Sequence, residues 1–300
     1  MNAINKDDDS AAAVDAVRSE LSLEGDVRRF ADGSVPVFSV GDEHVVKLFP
    51  LNDRSYFDIE WATLARISGR LPIPTPRAIA AGEQGPWLYI AMTRLPGRSL
   101  AEEWDSIPVR DRFRLVRDVG AALAALQAIP ADDLAPLAVD WPRFMEAQRA
   151  SCRDRQIARG LGAPWVDAVA DFLARWAPRD DGPRRLLHTE VMREHILVER
   201  QAGAWRVSGI VDFEDAMLGA PEYELASAGV FLAGAEPGLL RALLEGIGAD
   251  VDDELPVRIM AYALLHRYSS LRWYLDRLPA RAAEGDLESL AREWFTPERA

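Results

Sequence analysis

The chain has 300 residues, 49% hydrophobic and 28% charged, with a formal net charge of −13. That length points to a globular protein of two lobes or domains, and the acid excess disfavours nucleic acid and anionic membrane as partners while favouring a cationic ligand. With one cysteine, Cys152, and four histidines, neither an internal disulfide nor a zinc cluster is expected, and no apolar run approaches the roughly 20 residues that span a bilayer.

Residues 1–10 are polar and acidic, unlike a signal peptide, so a reducing cytoplasmic setting is expected. They read as a frayed tail ending near a helix N-cap at Ser10. Val14, Val17 and Leu21 then recur at helical spacing and predict a short amphipathic helix over 11–23. Two β-rich runs, 35–40 and 44–49, flank the turn residues Gly41-Asp42 and predict a hairpin. Helical period returns over 58–67, and Pro72, Pro74 and Pro76 then force an extended passage. Residues 79–82 and 87–93 read as a second strand pair, and Leu95-Pro96-Gly97 as the break between lobes. Beyond it, helices are expected over 112–129, 165–176, 239–247 and, as one long element, 257–278, with short strands at 196–198 and 205–211. The expected organisation is a tail and short helix (1–22), a β-rich lobe (23–94) and a helical lobe (95–300), an α+β chain with a cleft where the lobes meet.

Four features carry chemistry. Gly33-Ser34 opens the hairpin; a small-residue turn lets backbone N–H groups approach phosphate oxygens, although most such pairs are only turns. Lys47 lies among strand residues, so its ammonium either snorkels at an edge or reaches the α/β-phosphates of a nucleotide. Glu60 follows on the next helix, either solvent-exposed or paired with Lys47 in the manner of kinases. Fourth, the stretch 186–198 holds His188, Glu190, Arg193 and His195, and Ile210-Val211-Asp212-Phe213-Glu214-Asp215 follows it. Carboxylates at adjacent strand ends suit magnesium on nucleotide phosphates, and Asp212 is the strongest candidate. Cys152 has no evident role, and His44 and His266 read as structural.

Together with Leu71-Pro72-Ile73-Pro74-Thr75-Pro76, the run from Tyr89 to Gly97 and Gly219-Ala220-Pro221-Glu222-Tyr223-Glu224-Leu225-Ala226, these features resemble the aminoglycoside phosphotransferase and choline kinase-like family, most nearly the hygromycin B kinases. The resemblance runs from about residue 33 to 226. It implies a protein-kinase-like bilobal fold, with ATP (or GTP) and Mg²⁺ or Mn²⁺ as cofactors. It places Gly33, Ser34 and Lys47 at the phosphates, Glu60 behind Lys47, the backbone of Thr93 and Leu95 at the adenine, and Asp212 at the metal. The acceptor it implies is a small hydroxylated cation such as an aminoglycoside.

The catalytic loop departs from the family pattern. His188 matches, but Thr189 replaces glycine, Glu190 replaces the catalytic aspartate, and His195 replaces the metal-binding asparagine; Ala220 and Glu224 replace aspartates downstream. On this alignment Glu190 is the expected base, with His188 and Arg193 beside it, and His195 the expected second metal ligand. Glutamate still accepts a hydroxyl proton, but a displacement of about 1 Å can cost roughly 100-fold in rate. Imidazole suits manganese better than magnesium. Arg193 is expected either to stabilise the transferring phosphoryl group or to pair with Glu194 on the surface. Asp215, Glu222, Glu224 and residues 250–254 are expected to form an acidic rim for ammonium groups. Two functions remain open: an active small-molecule kinase, or a pseudokinase that binds nucleotide or a partner without transfer.

Overall fold

The computed structural model describes residues 6–31, 33–130, 134, 137–176, 178 and 182–299. The chain opens with α1 (Lys6–Glu20), β1 (Val27–Arg29), β2 (Val37–Val40), β3 (His44–Pro50), α2 (Arg54–Ile67), β4 (Ala78–Gln84) and β5 (Trp87–Thr93). The five strands form one antiparallel sheet in the order β1-β2-β3-β5-β4.

Alternation along β3 and β5 decides what lies on each face. Val46, Leu48, Trp87, Tyr89 and Ala91 pack with Val14 and Val17 of α1 on one face. Phe49, Leu88, Ile90 and Met92 pack with Phe57, Leu64 and Ile67 of α2 on the other. Lys47 belongs to the α2 face, paired across the sheet with Val37 and Ile90. The strand period therefore carries its ammonium inward. The first helix begins at Lys6, earlier than expected, and its start takes in the aspartate run; acidic residues are favoured in the first turn of a helix. The expected tail at residues 1–5 lies outside the described residues.

Residues 94–97, which include the expected break at 95–97, join β5 to β6 (Arg98–Ser99). The Ser208 hydroxyl donates to the Pro96 carbonyl at 2.6 Å. Gly97, at φ 97°, lies so close to its neighbours that a Cβ there would sit 2.4 Å from Val198 O and 2.5 Å from Ser208 Oγ. The remainder is mainly helical: α3 (Leu100–Glu103), α4 (Val109–Gln127), α5 (Trp141–Ala158), α6 (Ala163–Trp176), α7 (Glu224–Ser227), α8 (Pro237–Ile247), α9 (Leu255–Leu265), α10 (Leu271–Leu275) and α11 (Leu287–Phe295). Short strands β7 (Arg185–Leu187) and β10 (Met217–Gly219) pair with each other, and β6, β8 (Ile196–Gln201) and β9 (Ala204–Ile210) form a three-stranded sheet. Two loops matter for chemistry: residues 188–195 between β7 and β8, and residues 211–216 between β9 and β10.

Two differences from the sequence expectation are instructive. The single long helix over 257–278 is broken: α9 ends at Leu265, His266 turns out of helical geometry (φ −58°, ψ 142°), and Ser270 caps α10. The buried His266 ring stacks on Tyr223 at 4.9 Å and bonds the Thr189 carbonyl at 3.1 Å, a tertiary contact that outweighs helix continuation. The other difference is α5, which carries no expectation. Its buried residues are only Trp141, Cys152 and Gln156, too thin a stripe for periodicity to reveal.

Helices α4 and α8 cross at two glycines. A Cβ at Gly246 would lie 2.2 Å from Arg117 O, and one at Gly120 would lie 2.4 Å from Leu243 O. Gly246→Ala therefore forces the pair apart and should destabilise the fold by about 1–3 kcal/mol. Gly182→Ala, with nothing within 4 Å of the added methyl, should stay within about 0.5 kcal/mol. Denaturant unfolding of the two variants checks this.

Candidate active site

The site is organised around Lys47. Its side chain is 7% exposed, and its ammonium hydrogen-bonds Asp212 Oδ1 at 2.6 Å. Glu60 Oε2 and Glu214 Oε2 each lie 2.8 Å from the same nitrogen. Both pair with it by charge but fall outside hydrogen-bond geometry. Burial alone would lower the Lys47 pKa; Asp212, Glu60 and Glu214 together hold it well above its ordinary value. Burial pushes Glu60 up to about 7 against the pull of Lys47. Burial would also raise Asp212, but Lys47 and then His195 more than reverse it, and its carboxyl sits well below the usual range. An oxygen from each of Glu60, Asp212 and Glu214 lies within 4.8 Å of the others, a density of negative charge that requires a cation.

The loop 188–195 is held from beneath by Glu224. This residue is fully buried, and its two oxygens accept the N–H groups of His188 and Thr189 at 2.7 Å each. Its pKa is raised to about 7 by burial, with those two N–H groups pulling the other way. Thr189 takes a left-handed conformation, φ 73°, where glycine is at ease and a β-branched residue is strained. Its hydroxyl is engaged at the Asp215 carbonyl, 3.0 Å away. Asp212 also has positive φ, 71°, so both loops carry backbone strain where their carboxylates emerge.

His188 is fully buried. Its Nε2 lies 3.0 Å from the Val211 carbonyl and its Nδ1 accepts the Glu190 N–H at 3.3 Å. Burial depresses its pKa to about 4, so it is a neutral strut between the two loops. Both ring nitrogens are taken, and in this structure it positions Glu190 and Asp212. The Glu190 carboxyl stands half-buried; burial, then Asp215, Asp212 and Glu214, push its pKa up to about 8.

Arg193 is placed differently from expectation. Its guanidinium stacks 3.5 Å over the Trp104 ring and its Nε donates to the Leu232 carbonyl at 3.0 Å. That carbonyl belongs to the π-helical turn Ala228–Ala233. No ion pair with Glu194 is present among the described residues; the side chain anchors the far side of the loop.

The acidic rim is corrected as well. Asp215 is 3% exposed and is engaged by Arg267 at 2.7 Å and the Tyr268 hydroxyl at 3.0 Å. Glu222 and Asp252 both clasp Arg258 at 2.9 Å, and Glu224 lies under the loop. Of the expected rim, Asp250, Asp253 and Glu254 remain exposed and make no ion pair among the described residues.

Other expected residues converge. The Ser34 hydroxyl donates to Glu214 Oε1 at 2.9 Å, which brings the Gly33-Ser34 turn (Gly33 at φ 135°) over the site. At the 95–97 connection, Arg77 N–H bonds the Thr93 hydroxyl at 2.9 Å, and Leu95 makes no backbone–backbone hydrogen bond among the described residues. The donor set fits a divalent cation. His195 Nδ1–H donates to the Glu190 carbonyl at 2.9 Å, which turns Nε2 toward Asp212 Oδ2 at 3.2 Å. Two acceptors at that separation hold either a proton or a metal between them. Glu214 Oε2 is buried and lacks a hydrogen-bond partner.

Sequence reasoning missed Glu214, Arg267 and Tyr268 as members of the site and misplaced Glu224. Glu214 had a legible signal, two residues from Asp212; Arg267 and Tyr268 sat inside what read as continuous helix.

A family model described as the phosphotransferase enzyme family matches residues 26–259. The homoserine kinase of Gluconacetobacter diazotrophicus is 35% identical over 113 residues, 36% of this chain and 33% of that protein, so the match spans about a third of the length of that curated relative. The GDP and kanamycin complex of APH(2")-IIIa superposes with TM-score 0.70 at 15% identity, over 93% of this chain and 95% of that one. The macrolide 2'-phosphotransferase MphH of Brachybacterium faecium gives 0.61 at 21% identity, over 96% and 99%. At these identities the likeness establishes the fold, a kinase-like α+β architecture. No helix among the described residues is long and apolar enough to cross a membrane.

His266 sets a pH dependence. Burial lowers its pKa to about 3, below the roughly 6.5 of a free imidazole. The unfolded chain therefore binds the proton first, so the stabilisation is complete above about pH 6.5 and is lost as pH falls toward 3. The melting-temperature gap between wild type and His266→Gln should close by about 5 °C between pH 7 and 4, read by scanning calorimetry.

Proposed function

The chain belongs to the phosphotransferase enzyme family, and on that premise we propose that it transfers the γ-phosphoryl group of ATP (or GTP) to a hydroxyl of a small molecule. One observation carries the reading: Lys47 from the sheet and Asp212 from the end of β9 meet at 2.6 Å, with Glu60 behind the lysine and the Glu190 carboxyl beside Asp212. In this reading residues 23–94 form the nucleotide lobe and residues 95–300 the acceptor lobe. Lys47, oriented by Glu60, holds the phosphates under the Gly33-Ser34 turn. The Thr93 carbonyl and the Leu95 N–H, two residues apart, offer an acceptor and a donor to a purine edge. Glu190 accepts the proton of the acceptor hydroxyl as its oxygen bonds phosphorus and the bond to the β-phosphate oxygen breaks, releasing the nucleoside diphosphate. His188 and Arg193 position the loop. Asp212 and His195 would hold the divalent cation, Mg²⁺ or Mn²⁺, which when bound supplies positive charge to the phosphates.

For the acceptor, a small hydroxylated cation such as an aminoglycoside, in the manner of hygromycin B, is the finer proposal. The formal charge of −13 supports it, as does the acid excess around Glu190; the capture of the expected rim by Arg258 and Arg267 narrows that support. The local likeness to a homoserine kinase makes a small amino-acid alcohol the second acceptor to test.

A second reading, a nucleotide-binding pseudokinase, is favoured by one observation. Lys47 and Asp212 Oδ1 are already paired within the chain, and Asp212 Oδ2 lies 3.2 Å from His195 Nε2.

Transfer from ATP and GTP, with Mg²⁺ or Mn²⁺, to a panel of aminoglycosides, macrolides and homoserine distinguishes the two. Turnover should appear with at least one acceptor, and Asp212→Ala and Lys47→Met should each lower kcat by about 100-fold or more. Nucleotide binding with no turnover on the whole panel would favour the pseudokinase, and turnover indifferent to Asp212→Ala would sink the kinase reading.

A further inference from the structure

Glu214 occupies a position that the proposed chemistry leaves unexplained. Its Oε1 accepts the Ser34 hydroxyl at 2.9 Å and its Oε2 lies 2.8 Å from Lys47 Nζ. Lys47 and the turn that carries Ser34 are assigned above to nucleotide phosphate. A carboxylate held between a hydroxyl and an ammonium presents the same pair of oxygens that a phosphate would. We propose that the Glu214 carboxylate is an internal stand-in for phosphate, a built-in competitor that the nucleotide must displace from Ser34 and Lys47. The inference rests on the nucleotide-binding reading and adds to it a residue that sets affinity.

The surroundings localise the movement to one side chain. On one side Phe213 is fully buried, its ring 4.6 Å from that of His188. On the other, Asp215 is tied to Arg267 at 2.7 Å. The backbone at 214 is thus pinned at both neighbours, and release proceeds by rotation of the Glu214 side chain itself. Charge gives the exchange its sense. Around Lys47 the site already gathers Glu60, Asp212 and Glu214. A polyphosphate placed beside an undisplaced Glu214 would set like charges against each other without a further donor. With Glu214 withdrawn, the Ser34 hydroxyl recovers a free donor and Lys47 loses a competing negative charge.

Calorimetric titration with ADP in EDTA, without divalent metal, tests this on the full chain, using wild type, Glu214→Gln, Glu214→Ala and Lys47→Met. A hydrogen bond to a charged group contributes about 1.5–3 kcal/mol. Removing the competitor should therefore tighten ADP binding by about 10- to 100-fold, more for Glu214→Ala than for Glu214→Gln, while Lys47→Met abolishes it. Glu214→Gln, nearly isosteric, carries the test if Glu214→Ala does not fold. Equal affinity in wild type and both Glu214 variants, with binding still lost in Lys47→Met, overturns this proposal and leaves the nucleotide reading standing. Weaker binding in the Glu214 variants overturns it too, since Glu214 would then be a ligand or support. Binding that ignores Lys47→Met, or no binding by any of the four proteins, fells the nucleotide reading and this inference with it.

Discussion

A buried ammonium ringed by three carboxylates is the constraint on which the rest depends. Taking Lys47 out of water is unfavourable by several kcal/mol unless partners return the lost solvation. Those partners are three carboxylates from two elements: Glu60 from α2, and Asp212 and Glu214 from the loop after β9. The sheet, the helix that covers it and the strand ends of the helical part must therefore meet at one point. Removing any one carboxylate changes the balance for the others, because burial already lifts Glu60 to about 7. The cluster contributes more to specifying a geometry than to net stability, since apolar residues of equal volume would often serve stability as well.

The loop 188–195 shows how departures from a family pattern are absorbed. Threonine in a left-handed conformation is strained, and its hydroxyl gains the Asp215 carbonyl in return. Glu224 still reaches two backbone N–H groups at 2.7 Å despite its extra methylene. His195 bridges the Glu190 carbonyl and Asp212. The substitutions at Thr189, His195 and Glu224 are each matched by a contact, so these altered residues are built into the loop.

Most of the sheet and the convergence of Lys47, Glu60 and Asp212 were legible from the sequence. The reason is local: period-two alternation fixes which face Lys47 joins, and the strand that ends in Asp212 is short and apolar. What was illegible was set by tertiary contacts. The helix break at His266 is invisible because apolar spacing continues across it, while the bond to Thr189 that causes it spans 77 residues. Arg193 read as a cleft cation because sequence cannot show Trp104 beneath it. The acids at 215, 222 and 224 read as surface charge because their partners, Arg267, Arg258 and two backbone amides, lie far along the chain.

Connecting loops commonly drift in sequence while the elements they join stay fixed. The 95–97 connection reverses that expectation. At position 97 any side chain meets the oxygens of Val198 and Ser208 at 2.4 and 2.5 Å, and an L-residue would also be held at φ 97°. Every codon change that removes this glycine adds a steric clash to a conformational one, with no outward route for the new atom. Among descendants of this gene, the joint should be as invariant as the core it connects.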